Sequence, residues 1–277
     1  MLDGDPKNSE DEIAAKLARE KRCALTSPQR VASRSPPRGG TRAIARSQGI
    51  LTDVRAIRSQ APLPETADEL CEVAHDLGVD PDKHLYMGAR ATETEVKRLS
   101  HAGTLAKYKI LQFATHGAVA GDISRGSEPG LILTPPETAT EIDDGYLTAS
   151  EIVSLRLDAD WVILSACNTA AGEAEEAEAL SGLARAFFYA GARSVLVSHW
   201  AVYSGATVKL IGDTVAKWKT DPMIGRPQSG RAEALRRSML EMIDNGQDFE
   251  AHPAFWAPFV LVGEGAAATT SDATSAK

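Results

Sequence analysis

His116 and Cys167 are the residues whose types and spacing could do chemistry. Each closes a short apolar run, Lys109-Ile-Leu-Gln-Phe-Ala-Thr-His-Gly117 and Asp160-Trp-Val-Ile-Leu-Ser-Ala-Cys167, with the histidine 51 residues ahead of the cysteine. A thiolate is a strong nucleophile, but an ordinary thiol, with a pKa of about 8.5, is mostly protonated at neutral pH. An imidazole beside it can take up the proton and then hand it to a leaving amine. Taken singly, each residue has an ordinary reading, since free cysteines are commonly buried and a lone histidine is commonly just hydrogen-bonded. Their joint placement at run ends, with Gly117 after the histidine, points to a nucleophile and its base.

The elements that must position them follow from pattern. An apolar run such as Trp161 to Leu164, bounded by turn residues, reads as a strand buried on both faces. Two parallel strands would deliver both side chains to the carboxyl edge of one sheet, where open α/β folds place their chemistry. Capping-box patterns at Thr66–Glu69, Thr92–Glu95 and Thr148–Glu151 each predict a helix start. The first of these helices should run to Leu77 and stop at Gly78. His84 to Gly88 and Gly130 to Thr134 read as short strands. After Cys167 comes a loop holding Glu173, Glu175, Glu176 and Glu178, a candidate regulatory or cleavable segment if it is more than a solvated loop. Leu180, Leu183, Ala184, Phe187 and Phe188 then form the stripe of an amphipathic helix, stopped by Gly191. A strand at Ser194–Ser198, helices near Gly205–Trp218 and Arg231–Ile243, and a last strand at Phe259–Val262 complete the series. Strands alternating with helices mean α/β with a largely parallel sheet.

Composition sets the bounds. The chain has 277 residues, 43% of them hydrophobic and 25% charged, as in an ordinary globular protein. Residues 1–60 carry 12 Lys and Arg against 7 Asp and Glu, whereas residues 61–277 carry 18 against 31. The acidic body argues against a nucleic-acid partner. No run approaches a membrane span and no apolar signal core opens the chain, so no membrane partner and a cytoplasmic location are expected. Cys23, Cys71 and Cys167, scattered and odd in number, suggest reduced thiols rather than disulfides, and no spacing suggests zinc. Residues 1–60 read as a basic Pro/Ser/Arg-rich segment, expected to be disordered apart from a short helix between Ser9 and Arg22. Residues 61–264 read as the folded domain, and 265–277 as a flexible tail. Ile50 to Ile57 reads as a strand or a linker.

Thr115-His116-Gly117, Leu164-Ser-Ala-Cys-Asn-Thr169, Gly182-Leu-Ala-Arg-Ala-Phe187, Ala190-Gly-Ala-Arg193 and Trp256-Ala-Pro-Phe259 together resemble the CHAT domain family. These are caspase-like proteins, often fused to tetratricopeptide repeats, in the class of caspases, separase and gingipains. The resemblance extends from about Leu63 to Gly263, with the motifs in family order. It implies a three-layer α/β/α sandwich. It also implies His116 as catalytic histidine, Cys167 as nucleophile, the backbone N–H groups of Gly117 and Cys167 as oxyanion hole, and Trp200 as a wall of the P1 pocket. No cofactor is implied. The partners implied are a protein or peptide substrate and, since no repeats are present, a regulatory protein acting in trans.

The sequence departs from the family in places. Early strands are not recognisable in residues 1–60, which reads as a shortened N-terminal side. The loop after Cys167 is acidic where relatives are usually glycine-rich, and Tyr203-Ser204 replaces an acidic pair. Metacaspases that cut after basic residues carry an aspartate two positions before the cysteine; here that position is Ser165. The reading that results is a cysteine endopeptidase with a His116–Cys167 dyad. A catalytically silent interaction module of the same fold is the alternative, and a thiol esterase or transacylase a third.

Overall fold

The computed structural model describes residues 2–23, 52–118, 128–165, 174–199, 203–220, 230–247 and 249–265. In chain order its elements are α1 (Ser9–Glu20), α2 (Val54–Arg58), α3 (Glu65–Leu77), α4 (Pro81–His84), α5 (Glu93–His101), β1 (Ile110–Phe113), β2 (Gly117–Ala118), β3 (Gly130–Ile132) and β4 (Tyr146–Thr148). Then follow α6 (Ala149–Val153), β5 (Trp161–Leu164), α7 (Ala174–Ala190), β6 (Ser194–Ser198), α8 (Ser204–Thr220), α9 (Arg231–Asn245) and β7 (Phe259–Gly263). The main sheet has the order β1-β5-β6-β7, with β1, β5 and β6 parallel and β7 antiparallel at one edge. A small antiparallel sheet, β2-β3-β4, follows directly from the end of β1.

Helices cover both faces, which is why β5 and β6 are buried along their whole length. Because side chains alternate along a strand, each strand feeds two cores. Leu111, Phe113, Val162, Leu164, Val195 and Val197 pack with Ile152 of α6 and Leu183, Ala184 and Phe187 of α7. Ile110, Trp161, Ile163, Leu196 and Phe259 face the other way, onto Val73 of α3, Leu210, Ile211 and Val215 of α8, and Leu235 and Met242 of α9. This is the α/β fold with a mostly parallel sheet that the sequence pattern predicts, in the α/β/α layering that the resemblance implies.

Several local expectations need correction. Cys23 and Cys71 form a disulfide, so the expectation of reduced thiols fails for this pair. Their separation of 48 residues leaves no local signal; α1 has to fold against α3 before the two meet. Ion pairing of Lys21 with Asp68 and an Asp3 N–H bond to the Arg58 carbonyl (2.7 Å) fasten the same segment. The short helix expected between Ser9 and Arg22 is α1, docked on the body together with α2, and the stretch Ile50–Ile57, read as a strand or a linker, is helix α2 from Val54. His84 belongs to α4, capped by Asp80 with Pro81 in its first turn, a strong helix-start pair that displaces the expected strand. The backbone of α7 begins at Ala174, so Glu175, Glu176 and Glu178 lie on a helix and not in a loop.

The three capping boxes meet different fates. Thr148 and Glu151 form the complete reciprocal pair. Thr92 accepts from the Glu95 N–H at 3.1 Å, while the Glu95 carboxylate turns to Arg98. Thr66 caps nothing: α3 starts at Glu65 after Pro64, and the Thr66 hydroxyl donates to the Leu63 carbonyl at 2.7 Å. That leaves the Glu69 carboxylate free to turn inward.

Candidate active site

The last residue pair of β1 and β5 is Phe113 with Leu164, and one further bond, from the Ser165 N–H to the Phe113 carbonyl, extends the ladder at 3.3 Å. His116 lies three residues past Phe113, and in the sequence Cys167 lies three residues past Leu164. Cys167 and Trp200 themselves fall outside the described residues.

His116 is buried, 3% exposed, with Nε2 2.7 Å from the carbonyl oxygen of Ala61. A carbonyl only accepts, so Nε2 carries the hydrogen and, in the neutral ring, Nδ1 carries the lone pair. The chain on either side is fixed by the small sheet. The Thr115 hydroxyl donates to the Ile132 carbonyl, and the Ile132 N–H donates to the His116 carbonyl at 2.8 Å. His116/Ile132 is therefore a hydrogen-bonded position of an antiparallel ladder. The next pair, Gly117/Leu131, falls at a non-hydrogen-bonded position, where the N–H of Gly117 is directed away from β3.

Glu69 is the residue at this sheet edge that the sequence reading missed. It is 2% exposed and accepts a hydrogen bond from Gln112 Nε2 of β1. Burial pushes its pKa up to about 7 and the charge of Glu72 adds to the rise, against the pull of the Gln112 hydrogen bond. A signal was present: Glu69 stands four and eight residues before Val73 and Leu77, on the apolar stripe of α3. The Ala61 carbonyl had none, since any residue type supplies one.

Tyr203, in place of the acidic pair, stacks on Phe255 with ring centroids 4.4 Å apart and joins the apolar layer. His199, just past β6, is exposed, and its backbone N–H donates to the Pro258 carbonyl at 2.9 Å.

A model of the CHAT domain matches residues 9–264. The chain belongs to the CHAT domain family. The match takes in α1 as well as the sheet and its helices. Tetratricopeptide repeat protein 28 of Mus musculus is 28% identical over 232 residues, covering 73% of this chain and 9% of that protein. Its namesake in Homo sapiens is 26% identical over 229 residues, covering 73% of this chain and 8% of that protein. The CHAT chain described here thus spans less than a tenth of the curated relatives it matches. Among the described residues, no helix is long and apolar enough to cross a membrane.

Proposed function

We propose that this CHAT domain is a cysteine peptidase that cuts peptide bonds through a His116–Cys167 dyad. The observation that carries the reading is the buried His116 imidazole, oriented by the Ala61 carbonyl at the end of the strand paired in register with the one leading to Cys167. With Nε2–H donated to the Ala61 carbonyl, Nδ1 carries the lone pair that would take a thiol proton. The thiolate adds to the scissile carbonyl, the C–N bond breaks as the imidazolium protonates the leaving amine, and water then hydrolyses the acyl-enzyme. The developing oxyanion needs preorganised donors, each worth roughly 10²–10³ in rate. The Gly117 N–H, directed off β3, suits that role, with the Cys167 N–H as its partner. Trp200 as a wall of the P1 pocket, a peptide or protein substrate, and a regulatory protein in trans belong to the same proposal.

The test is the alkylation rate of Cys167 against pH, followed by mass spectrometry in wild type and His116→Ala. An assembled dyad makes wild-type Cys167 react at least 10-fold faster at pH 6 to 7, with the advantage gone in the variant. Equal rates at every pH would leave the silent interaction module as the better reading. Peptide against ester substrates then separates a peptidase from an esterase.

A further inference from the structure

Residues 2–23 form a strap fastened at both ends. At the first end Leu2 packs on the cluster of Ile57, Ala118, Ile132 and Tyr146. Beside it the N–H groups of Asp3 and Gly4 both donate to the Arg58 carbonyl, at 2.7 and 3.2 Å. At the other end Lys21 pairs with Asp68, and Cys23 is bonded to Cys71 in the middle of α3. The first end is itself tied to α1, for Arg19 pairs with Asp3 and the Asp5 N–H donates to the Asp11 carboxylate at 2.9 Å. Between the two anchor points in the sequence, three residues past Arg58 and seven before Asp68, lies Ala61, whose carbonyl holds the His116 ring. The anchoring cluster adjoins the site too: Ala118 follows Gly117, and the Ile132 N–H donates to the His116 carbonyl. Little apolar surface keeps α1 in place. Its buried residues are Asp11, Ala14 and Ala15, while Ile13 is 61% exposed and Leu17 46%. Cys23 and Cys71 are each only half-buried, within reach of an attacking thiolate.

We propose that the Cys23–Cys71 disulfide is a redox-operated buckle: closed, it holds the strap over the turn that presents Ala61 to His116, and its reduction loosens that turn and switches the dyad off. This rests on the dyad reading above. A dithiol supplies the electrons. One of its thiolates attacks a sulfur of the pair and displaces the other as thiolate, and its second thiol then resolves the mixed disulfide. Two electrons and two protons pass to Cys23 and Cys71, and the dithiol leaves as a disulfide. With the buckle open, α1 is held by its surface ion pairs and a few backbone bonds and opens locally at low cost. The hook at Asp3 and Gly4 then loses the helix that steadies it, and the turn from Arg58 to Ala61 loses its outer support. An imidazole without the acceptor on its second nitrogen is no longer fixed in tautomer or direction. Activity is therefore confined to a window of redox poise, reducing enough to leave Cys167 a thiol and oxidising enough to keep the buckle closed.

The experiment follows the His116-dependent part of the Cys167 alkylation rate at pH 6.5 in the full chain, cysteine by cysteine in the mass spectrometer. The pair is compared oxidised and after reduction by dithiothreitol and its removal, at a temperature where circular dichroism shows both states folded. Reduction should cost about 10-fold or more, since a misplacement of about 1 Å between reacting groups costs on the order of 100-fold. Reoxidation of the pair should restore the rate. The double variant Cys23→Ser, Cys71→Ser should sit at the reduced level and ignore dithiothreitol. Leu2→Ser, which frees the hook and leaves the disulfide, should lower the rate as well, with little further loss on reduction. A disulfide that only stabilised α3 would leave Leu2→Ser at wild type. A rate that depends on His116 yet is equal in both redox states, or that falls only where circular dichroism shows unfolding, overturns this inference and leaves the dyad. No dependence on His116 in either state removes both.

Discussion

The Glu69 carboxyl, held near a pKa of about 7 by burial, makes stability depend on pH in a direction that can be worked out. Below about pH 4.5, its ordinary value, folded and unfolded chains both hold the proton. Between pH 4.5 and 7 the unfolded chain releases the proton and the folded one keeps it, so the unfolded state is favoured as pH rises. Above 7 both are ionised and the loss is complete, at most about 3 kcal/mol for a shift of this size. Glu69→Gln should therefore melt higher than wild type at pH 8 and level with it at pH 4.5, as calorimetry would show. Equal curves at both pH values would mean that the carboxyl is not buried as described. Glu93 is also raised to about 7 by burial and loses its contribution in the same window, which makes the comparison of variant with wild type the informative one. His116 and Gly117 stood out in the sequence because their types and order are unusual, whereas Glu69 was misread as half of a capping box. Local spacing cannot say which way a carboxylate turns; here Pro64 moved the helix start and the tertiary fold took the side chain inward.

Helix ends and turns divide the same way. The Thr148–Glu151 box at α6 is complete, so Thr148→Ala should cost about 1 kcal/mol, read as a lower urea midpoint. Thr66→Ala at α3 should cost less, since the Thr66 hydroxyl only meets the Leu63 carbonyl. Gly191, between α7 and β6, has φ of 112°, and a Cβ there would sit 2.3 Å from the Leu157 carbonyl oxygen. Gly191→Ala should lower stability by more than about 2 kcal/mol in denaturant unfolding, since both the backbone and the neighbouring carbonyl resist it. The stripe of apolar residues on α7 was legible in sequence because a 3.6-residue period is a local property. The start of α7 was not, since the acidic residues before Leu180 look like a loop until the helix that carries them is seen.

Across the whole molecule, the Cys23–Cys71 disulfide ties α1 to α3 over 48 residues of sequence. By the chain-entropy model a loop of that size contributes at most about 4 kcal/mol, so reduction should lower the melting temperature and Cys23→Ser should do the same. Hydrogen exchange should show the amides of α1 losing protection first, as that helix buries only small side chains, Ala14 and Ala15, beside its surface ion pairs and a few backbone bonds. Unchanged protection after reduction would mean that packing alone holds α1. The sequence by itself determined the alternation of the main-sheet strands with helices, the runs that lead toward His116 and Cys167, and the family, because alternation, helical period and motif order are written within short windows. Only the tertiary structure decided the Ala61 carbonyl on His116, the burial of Glu69 against Gln112, the pairing of Cys23 with Cys71 and the small sheet after β1. Each of those depends on groups brought together from distant parts of the chain, and no local pattern carries that distance.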